Sequence, residues 1–336
     1  MKKNILITGI TGMVGSHLVD YLLKNTNHNI YGLCRWRSPL DNIQHLLNLV
    51  NKKNSRLKFV SADLNDYSSL IEAVKNTRPN FVYHLAAQSF PLASFEEANM
   101  TFNTNFIGTY NLLNAIKLLK FDPLIHVCSS SEVFGKVKKE NIPIDENCNY
   151  HPASPYAISK VGTDLVGKYF YEAYGLKVLT TRMFTHTGPR RGDVFAESSF
   201  AKQIALIEHK KIKPIIKVGN LKSLRTFADV RDAVRAYHLL LFKNPKPGEV
   251  YNIGGDYTCT VGQMLNYLIS LSKIKNIKII RDPVRLRPID ADLQVPNISK
   301  FSKDTGWRPE ISFEQTMSDL LNYWREKVKI HNFLDR

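Results

Sequence analysis

The chain has 336 residues, 43% of them hydrophobic and 10% aromatic, enough to bury one large core or two smaller ones. No apolar run approaches the roughly 20 residues that span a bilayer, and MKKNILITGI is too short and too glycine-broken for a secretory leader and reads as a first strand, so no membrane association is expected. The formal net charge of +16 raises nucleic-acid binding, but the lysines are dispersed, KVKKE and EHKKIKP are short solvated runs, and no basic stripe interleaves with aromatics; attraction for small anions such as nucleotides fits better.

Taken in chain order, apolar β-rich runs alternate with helical periodicity. NILIT reads as a strand and Val14 to Leu23 as a helix; NIYGLC is a second strand. LKFVSA is a third, followed by helical YSSLIEAVKN, and FVYHLAA is a fourth, followed by a long helix ending in GTYNLLNAIKLL. PLIHVCSS is a fifth strand, SPYAISK opens a helix, and KVLTTRMF is a sixth strand. Strands this continuously apolar suit a parallel sheet covered on both faces, and the alternation predicts an α/β, doubly wound Rossmann-type fold. After Phe184 the pattern changes: THTGPRRGD is followed by short mixed elements with proline breaks at KNPKPGE, RDPVRLRP and GWRPE. A smaller mixed α/β C-terminal lobe is expected there. The expected division assigns 1–182 with about 226–255 to the first domain and 183–225 with 256–336 to the lobe, with the ligand cleft between them. The four cysteines, Cys34, Cys128, Cys148 and Cys259, show no C-x-x-C and no metal-ligand spacing, so no metal and a reducing, cytoplasmic setting are expected.

ITGITGMVGSHL places Gly9, Gly12 and Gly15 between the first strand and the first helix. The spacing is G-x-x-G-x-x-G, and its physics is that of a dinucleotide turn: a tight bend, close approach of backbone to phosphate, and a helix N-terminus facing the pyrophosphate. Thr11, Met13 and Val14 lie in the same turn and count as cofactor-binding with the glycines. The second strand ends in Cys34-Arg35-Trp36-Arg37, where NAD-binding folds usually carry an acid for the ribose 2′-hydroxyl. A guanidinium suits a 2′-phosphate, so NADP is expected in preference to NAD, with Arg35 the better placed and Arg37 sharing the role; a plain surface arginine is the alternative. Asp63, followed by Leu64, either accepts from the adenine amine or caps the next turn.

Tyr156 and Lys160 stand four residues apart at the start of a helix, on one face. A free phenol titrates near 10 and is a poor base at neutral pH; an ammonium beside it is expected to pull that value down. A tyrosine so placed takes a proton from an alcohol as a hydride leaves the same carbon. The fifth strand runs into Ser129-Ser130-Ser131-Glu132, where Ser130 can bond the reacting alcohol. Glu132 is the less expected element. Simple alcohol oxidation needs no further carboxylate, but one beside the substrate can remove a proton alpha to a new ketone; salt bridging or turn capping is the structural alternative.

TGxTGxxGSHL, HLAAQS, SSSEVFG, SPYAxSK, FTHTGPRRG and LRPxDADL together resemble the extended short-chain dehydrogenase/reductase family, nearly end to end. Within it, SSSEVFGKV, HTGPRRGDVF and CRWRSPLDNIQHL most resemble the GDP-mannose 4,6-dehydratases, whereas PIIKVGNLKSLRTFADVRDAVRAYHLL is closer to the GDP-4-keto-6-deoxymannose reductases. The resemblance implies a nucleotide-sugar substrate and a cycle with Ser130, Glu132, Tyr156 and Lys160 as catalytic residues. Tyr156 deprotonates the C4 hydroxyl during oxidation, Ser130 orients that oxygen, and Glu132 removes the C5 proton and helps water leave from C6 before reduction there. It implies further that Leu85, Ala86, Ala87 and Ser129 flank the cofactor, that Asn105 lies near the active-site helix, and that His186 sits beside the nicotinamide. Ser89, Thr185, Arg191, Arg225 and Arg287 would contact substrate, the last two on its diphosphate. Arg190 and Arg191 resemble a segment that meets a neighbouring subunit, implying a homo-oligomer, dimer or tetramer. Ser130 replaces a usual threonine, Thr185 an asparagine, and GMVGSHL the usual GQDGSYL. The rival expectations are a 4-ketoreductase or a 4-epimerase of a GDP-sugar, and a non-catalytic NADP-binding member.

Overall fold

In the computed structural model, residues 2–50 and 52–330 are described. Strands β1 (Asn4–Thr8), β2 (Asn29–Cys34), β3 (Leu57–Ser61), β4 (Phe81–His84), β5 (Leu124–Cys128) and β6 (Val178–Met183) fall where the apolar runs predict. With a later strand, β10 (Val250–Ile253), they form a seven-stranded sheet in the order β10-β6-β5-β4-β1-β2-β3, every pairing parallel. Period-two side-chain alternation fills both faces: Ile5 and Ile7 of β1 join one core and Leu6 the other. The first core is closed by α1 (Met13–Asn25) and α6 (Val230–Phe242), through Leu18, Leu22, Val234 and Leu240. The second is closed by α2 (Tyr67–Thr77), α3 (Gly108–Leu118) and α4 (Pro155–Tyr174), through Val74, Leu113, Val166 and Phe170.

The chain leaves β1 toward β2 and β3 on one side and returns at β4 to build the other. Strand order therefore reverses between β1 and β4, and the crevice past their C-terminal ends is where open α/β sheets bind ligands. The helix before α3 is irregular: a π turn at Asn103–Ile107 joins Ala98–Phe102 to α3. Helix α4 starts where it does for local reasons. Ser154 Oγ accepts the Ala157 N–H at 3.0 Å and Pro155 occupies the first turn; Gly175, at φ 70°, ends it in the left-handed conformation.

A second sheet is built around β9 (Leu224–Asp229), which pairs with β7 (His186–Thr187), β11 (Tyr257–Thr260) and β13 (Leu293–Gln294). A two-stranded piece joins β8 (Ile215–Val218) to β12 (Lys278–Arg281). Its own core lies between α5 (Ala196–Glu208), α7 (Val261–Ser270) and α9 (Phe313–Ile330), with Phe200, Ile204, Leu265, Leu320 and Trp324 buried; α8 (Ser299–Thr305) instead sends Phe301 into the first core. The chain re-enters the large sheet at α6 and β10, so Asp229, the N-cap of α6, stands where the two parts meet.

Candidate active site

At the β1–α1 junction Gly9 has φ 74°, and a Cβ there would stand 2.8 Å from the backbone of Ala86. A Cβ on Gly15 would stand 2.2 Å from the Gly9 carbonyl oxygen. Glycine is thus required for the turn after β1 to lie against the turn after β4. Gly12 caps α1 with no side-chain bond and no acid occupies the first turn; the Gly12 N–H is spent on the Gly9 carbonyl at 3.0 Å, so the first-turn N–H groups from Met13 onward are the donors of an exposed helix start beside Thr11. The Met13 and Val14 side chains turn inward, and the Thr11 carbonyl accepts from Asn42 Nδ2 at 3.2 Å. Leu85, Ala86 and Ala87 are half-buried beside this turn, and Thr8 Oγ1 accepts the Leu85 and Ala86 N–H groups at 3.1 Å each.

Arg35 and Arg37 are exposed at the end of β2, with no carboxylate partner among the described residues; the Arg37 guanidinium lies 4.4 Å from the Trp36 ring centroid. Two uncommitted guanidiniums and a bare helix start fit a dinucleotide carrying an extra phosphate. Asp63 caps the next turn through Oδ1, which accepts from Asn65 N at 3.0 Å, an arrangement that occupies one of its two carboxylate oxygens. Leu64 belongs to the core and its carbonyl accepts from Asn111, so only its backbone N–H can face a cofactor.

The chemical groups converge past β5. Tyr156 is 7% and Lys160 5% exposed. Ser130 Oγ accepts the Glu132 N–H at 3.2 Å, which leaves its own proton for the Tyr156 phenol with which it bonds. Glu132 turns into the cleft: Oε1 lies 3.5 Å from Arg287 Nη1, and its charge acts on both Tyr156 and Arg225. Ser129 is buried and donates to the Lys160 carbonyl at 3.2 Å. Asn105 Nδ2 bonds Ser159 Oγ at 2.9 Å, which places the π turn against α4 as expected. The neutral His186 donates from Nδ1 to the Phe184 carbonyl at 3.0 Å; burial, and then the Arg191 charge, lower it to about 4.

One expectation is reversed. Lys160 does not pull the Tyr156 phenol down. Its ammonium donates to the Cys128 carbonyl at 2.8 Å and is itself destabilised by burial. Tyr156 is pushed well above 10, first by burial, with the Ser130 hydrogen bond only partly opposing and the Glu132 charge adding to the rise. Four-residue spacing put the two side chains on one face but did not decide where the lysine head points. The strand-end carbonyl of Cys128 captured it.

The arginines expected to hold an anion also have protein partners. Arg225 donates to the carbonyls of Leu224 and Ala291 and lies 3.9 Å from Asp290; Arg287 is 3.7 Å from Asp290. Asp290, within the LRPxDADL stretch, was assigned no role from sequence. Arg191 bonds Glu197 at 3.1 Å and stacks 3.4 Å from the Phe195 ring, while its charge reaches Tyr156. Arg190 pairs with Asp20 of its own α1 at 2.7 Å. Ser89 is exposed at the cleft loop, and half-buried Thr185 fixes β7 by accepting from Ala228 N. Sequence reasoning also missed Asp164, one turn beyond Lys160 on the same face, which pairs with buried Arg182 at 2.6 Å. The i, i+4 continuation Tyr156-Lys160-Asp164 was the available signal. No group of three or more metal-type side chains occurs among the described residues.

Fold and constellation define an extended short-chain dehydrogenase/reductase. The chain belongs to the GDP-mannose 4,6 dehydratase family, whose model matches residues 6–320. It is 29% identical to the GDP-mannose 4,6-dehydratase of Vibrio cholerae over 366 aligned positions, covering 100% of this chain and 97% of that one. It is also 29% identical to the GDP-6-deoxy-D-mannose reductase of Pseudomonas aeruginosa over 329, covering 98% and 99%. The solved structure of RMD from Pseudomonas aeruginosa complexed with NADPH superposes with a TM-score of 0.80 at 28% identity, over 96% of this chain and 99% of that one.

Proposed function

We propose that the chain is an NADP-dependent nucleotide-sugar 4,6-dehydratase acting on GDP-mannose or a close relative and making a 4-keto-6-deoxy sugar nucleotide. The observation that carries this reading is the inward Glu132 carboxylate in the same cleft as Tyr156 and Ser130. Gly9, Gly12 and Gly15 with the bare start of α1 would take the pyrophosphate, Arg35 and Arg37 the 2′-phosphate, and Leu85 to Ala87, Ser129, Lys160 and His186 the nicotinamide side. Bound there, the nicotinamide supplies the chemistry of taking a hydride from sugar C4 and giving it back at C6.

The chain's own groups do the rest. Tyr156 takes the C4 hydroxyl proton. Burial raises this phenol above its ordinary range in the free protein, and the Ser130 hydrogen bond partly opposes that rise. Ser130 hydrogen-bonds the same oxygen. Glu132 removes the C5 proton, made acidic by the C4 ketone, and passes it to the departing C6 hydroxyl; as C6 is reduced, Tyr156 returns its exchangeable proton to the sugar at C5, so both side chains end the cycle as they began. Arg225 and Arg287, already concentrated at the cleft, meet the substrate diphosphate, and Asp290 holds them there beforehand. Ser89, Thr185 and Arg191 line the sugar. Residues 1–182 with about 226–255 would hold the dinucleotide and 183–225 with 256–336 the nucleotide sugar.

Helices α3 and α4 and the π turn expose Phe106, Ile107, Tyr110, Ile158, Leu165 and Tyr169, 38% to 51% accessible, which supports a homo-oligomer joined through this face; Leu165→Lys should then shift the protein to a smaller species in size exclusion, and an unchanged elution would reject that face. The four cysteines are free, which suits a cytoplasmic enzyme.

Mass spectrometry of the product from GDP-mannose, without added cofactor, tests the reaction: loss of one water supports it. A second reading, an NADP-dependent 4-ketoreductase, draws on the 99% coverage of the reductase relative. It requires stoichiometric NADPH consumption and no loss of water.

A further inference from the structure

A buried histidine outside this machinery has an unusually determined environment. His84, the last residue of β4, is 3% exposed between β1 and α3. Its Nδ1 lies 2.8 Å from Thr8 Oγ1 and its Nε2 lies 2.9 Å from Thr109 Oγ1. Thr8 Oγ1 already accepts two N–H groups, from Leu85 and Ala86, so its single proton is left for His84 Nδ1. Nδ1 is therefore an acceptor, and the proton of a neutral ring sits on Nε2, aimed at Thr109. Thr109 spends its own proton on the Asn105 carbonyl at 2.5 Å, so it can only accept from His84. Reversing the tautomer would leave Thr8 without an acceptor and ask Thr109 for two protons.

The chain of bonds continues beyond Thr109. Asn105 Nδ2 donates to Ser159 Oγ at 2.9 Å and Ser159 donates to the Tyr156 carbonyl at 2.7 Å, while Asn105 also exchanges bonds with the Gln88 backbone. Thr8, Asn105, Thr109 and Ser159 are each 0% or 1% exposed, so water does not compete for these bonds. We propose that His84 is a positioning residue, held neutral as the Nε2–H tautomer, through which the Leu85–Ala86 turn is registered against the helix carrying Tyr156. The turn is the part of the crevice nearest Gly9, and the helix carries the phenol; a shift of either by an ångström displaces the base from the reacting oxygen. The cofactor-facing role of the turn rests on the function proposed above, whereas the tautomer and the linkage do not.

The test is two-bond ¹H–¹⁵N NMR on protein labelled at histidine nitrogens, with the His84 signals identified by their loss in His84→Asn. The expected pattern is neutral Nε2–H at neutral pH and still at pH about 5, since burial and the Lys160 charge lower this ring to about 3. An Nδ1–H or doubly protonated ring overturns the assignment. Thr109→Val, nearly isosteric, keeps the experiment open if His84 variants fail to fold. It should lower kcat about ten- to a hundredfold with KM and NADPH affinity, read by fluorescence, within about twofold. His84→Gln, which keeps a donor toward Thr109, should recover most of the rate lost in His84→Asn. A folded Thr109→Val protein with unchanged kcat refutes the positioning role. If the protein instead reduces a keto sugar at the expense of NADPH, the same ratios are read on that reaction, so failure of the dehydratase reading is distinguishable from failure of this one.

Discussion

The two ends of the cleft are built from different materials. The end proposed for the cofactor is mostly backbone, a left-handed glycine at Gly9 and a helix start without a side-chain cap, joined by two exposed arginines that meet no carboxylate among the described residues. The chemical end is side chain, drawn from β5, α4 and the lobe, and largely buried; there the electrostatics follow from desolvation more than from neighbours. Backbone geometry is set by local sequence and exists before any ligand arrives. A buried phenol far above its ordinary range has its reactivity set by what enters the site. The cofactor end therefore reads as preformed and the chemical end as conditional.

Changes at the chemical end should abolish turnover while sparing affinity. Tyr156→Phe is expected to cut kcat by about a thousandfold, the scale of a lost general base, with NADP affinity within about twofold. Single-turnover rates and fluorescence titration read the two, and a parallel loss of affinity would erase the distinction between the ends. Glu132→Gln should lower dehydration by about a hundredfold while some exchange at C4 persists. Wild-type elimination in that variant removes Glu132 as the base. Arg35→Asp works on the other end: NADP affinity should fall about tenfold, NAD should gain, and kcat at saturating cofactor should stay within about twofold. Unchanged NADP affinity would deny the 2′-phosphate contact.

A further effect, on stability rather than turnover, crosses both regions. His17 and His186 are lowered to about 4, His84 and His126 to about 3, all chiefly by burial. Each therefore titrates lower folded than unfolded. Stability is complete above the unfolded value near 6.5 and drains as pH falls toward 4, because only the unfolded chain takes up the proton. The slope is on the order of 1 kcal/mol per pH unit per group. Thermal unfolding between pH 7.5 and 5 checks the sign, and a Tm that rises on acidification contradicts it.

What sequence could reveal follows the same division. Gly9, Gly12 and Gly15 were legible because a glycine spacing after an apolar strand is a backbone instruction, and the six strands because their apolar runs are near-continuous. The start of α4 was legible from Ser154-Pro155. The head of Lys160 was not, since helical spacing fixes a face and leaves a four-carbon stem free to find the Cys128 carbonyl. The π turn at Asn103–Ile107 was hidden because its buried position is the polar Asn105, while its apolar Phe106 and Ile107 face outward. The lobe's second sheet joins two-residue strands such as β7 and β13 to β9, pieces too short to show alternation, and Asp290 acquires its role only when that sheet brings it to Arg225 and Arg287.

The central claim is that one sugar ring lies between Tyr156 and Glu132 and is oxidised at C4, dehydrated across C5 and C6, and reduced at C6 without release. GDP-mannose carrying deuterium at C4 tests it most directly. The account predicts a product lighter by one water with the label recovered at C6 and a solvent hydrogen at C5. Label lost from the sugar, or retained at C4 in a sugar of unchanged mass, would contradict it.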